Sequence, residues 1–235
     1  MTDDNLPNIA IGLVTFRRTQ EALRTIESIM ANLNYPKEKR GFYIADDGSP
    51  VKHSAAILSK LTMAGERILG FHNEKYRHKG EENTNNAGIG WNKCLGICHQ
   101  NSDFVLWMED DWELDEPLDL VPYVKLLQER EDVGVCSFRI LSVGADVHTV
   151  GFDGQIYLKY LRTTQYAFSG NPYLRHARYT KRYGWFAEDR NPGLMELHQD
   201  DQYRLAVDNA PDIWRPVSIS QWGAFKHIGS DKTWK

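Results

Sequence analysis

No hydrophobic run in this 235-residue sequence approaches the roughly 20 apolar residues that a membrane-spanning helix requires. Residues 1–5 are polar and acidic, and they lack the basic start and apolar centre of a signal peptide. The cysteines, Cys94, Cys98 and Cys136, are odd in number and lack the spacing of a zinc site. We therefore expect a protein of the reducing cytoplasm whose cysteines pack in the core.

The sequence also lacks an excess of charge of either sign. Its net charge is −4, so composition makes no case for binding nucleic acid or an anionic membrane. The charge is unevenly distributed, however, because residues 154–187 contain no Asp or Glu. That segment carries Lys159, Arg162, Arg175, Arg178, Lys181 and Arg182. Nucleic acid therefore stays open as a partner.

Apolar segments and helical periodicity alternate through the first half of the chain. Strands are predicted over residues 8–16, 42–45, 67–72 and 103–108, and helices over 20–32, 51–63 and 86–99. This alternation is typical of a doubly wound parallel sheet. Beyond it we predict helices over 118–130, 173–182 and 194–208, strands over 133–140 and 215–219, and a hairpin of 155–160 with 164–168.

The predicted strand 103–108 runs directly into three consecutive carboxylates, Glu109, Asp110 and Asp111. Adjacent negative charges repel one another, and burying them unpaired is costly. A divalent cation held by oxygen ligands would relieve both problems. Ligands of open α/β sheets bind beyond the carboxyl ends of the strands. We therefore predict a metal site here, with a solvated acidic turn as the alternative.

A second acidic pair, Asp46-Asp47, follows another predicted strand, and Asn86-Ala87-Gly88 with Asn92 lies between the two acidic sites. In this order, over about residues 8–115, the sequence resembles the inverting family 2 glycosyltransferases with the GT-A fold. The resemblance implies a Rossmann-like, mostly parallel central sheet flanked by helices in a single domain. Residues 8–115 would form its nucleotide-sugar-binding half and residues 116–235 its acceptor-binding half. Met108 stands where the family usually has the first Asp of Asp-x-Asp-Asp.

The resemblance also implies a donor and a cofactor. The donor would be a nucleotide-diphosphate sugar, in the first place a UDP-sugar, and the cofactor Mn²⁺ or Mg²⁺. Asp111 would hold the metal, joined by His227, whose alternative role is structural. The predicted nucleotide-sugar contacts are Thr15, Arg17, Asp47, Asn86, Gly88, Asn92 and Asp110. Turn formation is the alternative role for Asp47, and helix capping and tight packing for Asn86, Gly88 and Asn92.

An inverting transfer needs a base on the face of the sugar opposite the leaving group. The family supplies it from an acidic pair at the start of a helix, which here implies Asp200 or Asp201. The residue types do not separate these two, and either could simply favour a helix N-terminus electrostatically. Glu188 and Asp189 are weaker alternatives.

The acceptor is the least determined part of the prediction. On the predicted helix 173–182, Arg175, Arg178 and Arg182 share a face, with Lys181 beside them. That face fits a solvated surface, a phosphate-binding patch for a nucleic acid with a modified base, or a patch for an anionic lipid-linked or polysaccharide acceptor. A nucleotidyltransferase and a non-catalytic nucleotide-sugar-binding module are the alternative functions.

Overall fold

The computed structural model describes residues 5–74, 87–138, 144–168, 172–188, 190, 192–206, 210–220 and 222–229. The helices in these ranges are α1 (Thr19–Asn32), α2 (Val51–Met63), α3 (Ala87–Asn101), α4 (Val121–Glu129), α5 (Ala177–Tyr183) and α6 (Pro192–Arg204). The strands are β1 (Ile9–Thr15), β2 (Leu33–Asn34), β3 (Arg40–Asp46), β4 (Ile68–Asn73), β5 (Phe104–Glu109), β6 (Trp112–Leu114), β7 (Leu118–Asp119), β8 (Val133–Ser137), β9 (Val147–Phe152), β10 (Gln155–Tyr160), β11 (Tyr173–His176), β12 (Asp212–Pro216) and β13 (Phe225–His227).

The first half of the chain forms the parallel part of a nine-stranded sheet, in the order β4-β3-β1-β5. Alternate residues of β1 face opposite sides of the sheet: Ile11 packs in one hydrophobic cluster and Ala10 in the other. Both faces are covered, which explains why β1 and β3 are buried at every position. In the parallel register, Thr15 lies beside Asp46 and Val14 beside Glu109. The ends of three strands, two of them acidic, therefore meet at one edge.

The second half extends this sheet with strands of mixed direction. β11 pairs antiparallel with both β5 and β8, β12 runs parallel to β8, and β10 and β9 form an antiparallel hairpin at the far edge. The prediction of a single α/β domain, with a parallel sheet at its centre and helices at its sides, is confirmed. The division of this domain near residue 115 stays a prediction.

Several local predictions in the second half were wrong. The hairpin joins 147–152 to 155–160, and not 155–160 to 164–168, because Asp153 and Gly154 both adopt positive φ (48° and 75°) and make a tight turn. Residues 173–176 form a strand, although we expected a helix over 173–182. Helix α4 starts later than predicted, since Leu118 and Asp119 pair with β2.

Candidate active site

Asp110 is held by the end of strand β1. Its Oδ2 accepts hydrogen bonds from the Thr15 hydroxyl (2.8 Å) and the Phe16 backbone N–H (3.0 Å). The Thr15 oxygen in turn contacts His53 Nε2 at 2.9 Å, and because Thr15 donates to Asp110 it accepts from His53. Burial and the neighbouring Asp111 charge raise the pKa of Asp110 to about 7, against the opposing effect of these hydrogen bonds. Asp110 is therefore a buried, precisely placed carboxyl group.

Asp111 is buried as well, and the C-terminal segment packs over it. The backbone N–H of Ile228 donates to the Asp111 carbonyl at 2.8 Å, and His227 Nε2 lies 3.2 Å from Asp111 Oδ2. β13 pairs with β6, which places His227 opposite Trp112. A Cβ on Gly229 would lie 2.6 Å from Asp111 Oδ2, so only glycine fits there without displacement. The predicted association of His227 with Asp111 is thus present in the structure.

One oxygen of this carboxylate is unsatisfied. Asp111 Oδ1 is buried and has no hydrogen-bond partner within the described residues. A buried polar atom without a partner costs free energy unless a ligand, ion or water satisfies it. The atom therefore marks a position where a cation can bind.

Arg18 lies between the two carboxylates and is a site residue that the sequence analysis missed. Its guanidinium contacts Asp111 Oδ2 and lies 3.4 Å from Asp110 Oδ1, with only 11% of the side chain exposed. The preceding Arg17 is exposed, with its guanidinium 4.7 Å from the Phe16 ring centre. Arg17 has a φ of 61° and donates its N–H to Ser49 Oγ. The sequence analysis named Arg17, and not Arg18, as the site residue, because neither charge nor spacing distinguishes two adjacent arginines.

The other acidic pair divides into a structural and a cleft-lining residue. Asp46 is completely buried and accepts from the Ser49 N–H (3.0 Å) and the Ser54 hydroxyl (2.6 Å), so it stabilises the turn before α2. Asp47 lines a cleft at the carboxyl edge of the parallel strands, and its N–H donates to the Thr15 carbonyl. Asp47 thus lies in the cleft, and its contact with a nucleotide stays a prediction.

The cleft is acidic on one wall and aromatic on another. Its lining includes Thr15, Arg18, Asp47, Trp91, Glu109 and Asp110. Burial, followed by the charges of Asp111, Glu196 and Asp110, raises the pKa of Glu109 well above its ordinary value. The charge of Glu196, on α6, is thus one of the causes of this pKa shift. Sequence analysis gave no role to Glu196.

The α3 residues named from the sequence make packing contacts. A Cβ on Gly88 would lie 2.5 Å from the Ala187 carbonyl, so the helix approaches that loop closely. Asn92 accepts from the Phe186 N–H (2.8 Å), and its Nδ2 donates to the Phe186 carbonyl (2.9 Å) and to Glu188 Oε1 (3.1 Å). Asn86 lies outside the described residues. For Gly88 and Asn92 the structure shows the packing role, and nucleotide contact stays a prediction.

The predicted base pair on α6 occupies two different environments. Asp200 is buried and accepts backbone hydrogen bonds from Tyr166 (3.0 Å) and Phe168 (3.1 Å). Asp201 has 62% of its side chain exposed and lies 3.8 Å from Arg204. Neither aspartate is among the described residues that line the cleft. Their catalytic role stays a prediction, and the weaker alternative Asp189 lies outside the described residues.

The predicted basic face is wrong. Arg175 is fully buried in β11, with its guanidinium 4.8 Å from the Tyr179 ring centre. The Arg178 guanidinium donates to the Arg130 and Val133 carbonyls at 2.6 and 3.0 Å. Lys181 and Arg182 are exposed. The face fails because the first predicted helical turn is a strand, which turns Arg175 into the core.

The chain matches the model of glycosyl transferase family 2 over residues 10–177, well over half its length. This chain belongs to glycosyl transferase family 2. No curated protein sequence matches it significantly. Among the helices that the structure of this chain describes, none is both long and apolar enough to cross a membrane.

Solved structures share the GT-A fold of this family member. Staphylococcus aureus TarS 1-349 in complex with UDP-GlcNAc is 14% identical, with a TM-score of 0.62, over 96% of this chain and 62% of that one. The mannosyltransferase PcManGT from Pyrobaculum calidifontis, in complex with GDP-Man and Mn²⁺, is 13% identical, with a TM-score of 0.54, over 90% of this chain and 57% of that one. At such identities the likeness shows the fold alone, and the chain spans less than two thirds of either structure.

Proposed function

We propose that this protein is a metal-dependent, inverting glycosyltransferase that moves a sugar from a nucleotide-diphosphate sugar to an acceptor hydroxyl. The observation that carries the proposal is the buried Asp110–Asp111 pair at the edge of the cleft, with Asp111 Oδ1 unpartnered among the described residues. Such a pair suits the cation and diphosphate that this chemistry brings together. Family membership supports the same reaction class.

The residues present fit a divalent cation that shares its coordination with the donor. Mg²⁺-type ions are commonly held by one or two carboxylates together with substrate phosphates and water. In the described ranges no three His, Cys, Asp or Glu side chains form a complete metal site, which agrees with such a shared site. Asp111 would hold Mn²⁺ or Mg²⁺ with His227, whose neutral imidazole suits Mn²⁺. When bound, the cation would stabilise the negative charge that gathers on the departing diphosphate.

The chain's own residues position the donor in this proposal. Asp47 and Thr15, which line the cleft, border the nucleoside together with Arg17. Gly88 and Asn92 of α3, together with Asn86, complete the proposed set. Asp110 faces the sugar, where a carboxylate favours an oxocarbenium-like centre. We propose a UDP-sugar as donor, and complexes of neighbouring structures with UDP-GlcNAc and GDP-Man support a nucleotide-sugar.

The base that takes the acceptor proton is proposed to be a carboxylate of α6. Asp200 and Asp201 are the sequence-based candidates, and the structure adds Glu196 because its charge acts on Glu109 in the cleft. The amide variants Asp200→Asn, Asp201→Asn and Glu196→Gln distinguish them. Removal of a general base lowers kcat about 10²- to 10⁴-fold. The base is the residue whose amide variant combines this loss of kcat with unchanged donor binding. Because Asp200 also accepts from two backbone N–H groups, all three variants are compared below their melting temperatures.

The decisive experiment measures donor turnover with and without Mn²⁺ across a panel of UDP- and GDP-sugars. A ligand that binds the native state also raises its melting temperature, which identifies the donor before any acceptor is known. Asp111→Ala should abolish turnover while the protein stays folded. If Asp111→Ala transfers sugar at the wild-type rate, the assignment is wrong.

The same assay tests the alternative functions. A nucleotidyltransferase would consume the nucleotide-sugar only with added pyrophosphate, giving a nucleoside triphosphate and a sugar 1-phosphate. It would also need a glycine-rich phosphate loop after β1, where this chain has Thr15-Phe16-Arg17-Arg18. A non-catalytic binding module would leave the nucleotide-sugar intact. A cytoplasmic location stays a prediction from the sequence.

A further inference from the structure

A large aromatic side chain is half-exposed on the loop before α6. Trp185 has 48% of its surface exposed. A Cβ on Gly96 would lie 3.7 Å from Cη2 of Trp185. The indole therefore lies close to α3, at a position where glycine has no side chain. The Trp185 carbonyl accepts from Nε2 of the buried Gln199 at 2.7 Å. The indole is therefore presented to solvent from a fixed backbone.

A carboxylate is fixed beside this indole. Glu188 Oε1 accepts from Asn92 Nδ2 at 3.1 Å, and the same Asn92 amide is bonded to both backbone groups of Phe186. Asn92, Trp185, Phe186 and Glu188 together line an open depression. We call this depression the Trp185 pocket.

The Trp185 pocket adjoins the proposed donor cleft. The Phe186 ring, which lines the pocket, lies 5.0 Å from Trp91, which lines the cleft. Asn92, on the pocket side, directly follows Trp91 in α3. The pocket and the cleft are therefore neighbours that share an aromatic wall formed by Phe186 and Trp91.

We propose that the Trp185 pocket binds a neutral sugar unit of the acceptor. This inference rests on the proposed glycosyltransferase function and names its acceptor class. The apolar C–H face of a pyranose can cover the exposed indole, which gains dispersion and hydrophobic contact. The Glu188 carboxylate accepts hydrogen bonds from hydroxyl groups, and charge-assisted bonds of this kind are strong.

The charges around the pocket favour a neutral sugar over a nucleic acid strand. A nucleobase could also stack on Trp185, but its phosphates would be repelled by Glu188. Arg175 and Arg178, for which a phosphate-binding patch was one of the alternatives, are committed to the protein interior and to backbone carbonyls. A sugar needs no cationic partner and uses the carboxylate that is present.

The test compares Trp185→Ala with Trp222→Ala as a matched control. Trp222 is 69% exposed and lies outside the Trp185 pocket. Transfer from the donor identified above is measured to neutral methyl glycosides and oligosaccharides and, separately, to oligonucleotides. We expect Trp185→Ala to raise the KM for the sugar acceptor about two- to tenfold, as loss of one aromatic contact implies. Trp222→Ala should match the wild type, and Trp185→Phe should recover part of the affinity.

Hydrolysis of the donor without acceptor separates the two proposals. Wild-type hydrolysis that Trp185→Ala retains, together with an unchanged KM for sugar acceptors, overturns the acceptor inference alone. Transfer to oligonucleotides but to no sugar also overturns it. If the wild type neither hydrolyses any donor nor transfers sugar to any acceptor, the proposed function fails. Saturation-transfer NMR with methyl glycosides then still tests the pocket, and equal signals from wild type and Trp185→Ala reject it.

Discussion

Replacing Arg18 with glutamine should strengthen metal binding. The Arg18 guanidinium lies 3.4 Å from Asp110 Oδ1 and also contacts Asp111 Oδ2, where a bound cation would compete with it. Such a pair attracts by about 5 kcal/mol at an effective dielectric constant of 20, but desolvation reduces the net contribution of a charged hydrogen bond to about 1.5–3 kcal/mol. A cation that displaces Arg18 gives up this contribution. Without Arg18, Mn²⁺ should bind about 10- to 150-fold more tightly.

Electron paramagnetic resonance of free Mn²⁺ measures this affinity directly, without nucleotide or turnover. The titration belongs at a pH well above 7, because the pKa of Asp110 is raised to about 7 and loss of Arg18 raises it further. Arg17→Gln is the matched control, since it removes an exposed neighbouring charge that lies over the Phe16 ring. An Arg18→Gln protein that binds Mn²⁺ no more tightly than wild type would refute the reasoning.

Three further predictions concern the surrounding structure. Asp200→Ala should lower the free energy of unfolding by about 2–4 kcal/mol, because it leaves two backbone N–H groups unpaired, whereas exposed Asp201→Ala should change it by less than about 0.5 kcal/mol. Gly229→Ala should weaken Mn²⁺ binding at least about tenfold, since its Cβ would displace the segment over Asp111. His99→Gln should reduce the loss of stability between pH 7 and 5 by up to about 2 kcal/mol.

The sign of the His99 effect follows from its environment. Burial, followed by the charge of Arg175, lowers its pKa to about 4. Below pH 6.5 the unfolded chain therefore binds a proton that the native state does not bind. The free energy of unfolding falls as the pH is lowered, until the pH reaches about 4. Urea titrations at several pH values measure this slope, and a slope unchanged in His99→Gln would contradict the assignment. Equal free energies of unfolding of Asp200→Ala and Asp201→Ala in urea would contradict the first prediction. Gly151→Ala is the control for Gly229→Ala, and equal Mn²⁺ affinity of these two variants would contradict the second.

The first half of the fold could be read from the sequence because its signals are local. Each parallel strand of the main sheet between Ile9 and Glu109 is a short apolar run, and each helix has a periodic apolar face. The strands β1, β3, β4 and β5 could therefore be located within a few residues, whereas the two-residue strand β2 was not predicted. The second half could not be read so well. The segment 173–176 contains residues that suit a strand or a helix, and its pairing with β5 and β8 decides between them.

By itself the sequence determined the parallel half of the sheet and the acidic edge at Asp47, Asp110 and Asp111. Strand ends and hydrophobic periodicity depend on residues that are close together in the sequence. Only the tertiary structure decided which polar groups are available there. It placed Arg18 between the carboxylates, brought His227 to Asp111 across the length of the chain, and committed the carboxylate of Asp200 to backbone amides. These outcomes depend on contacts between distant segments, which no local pattern specifies.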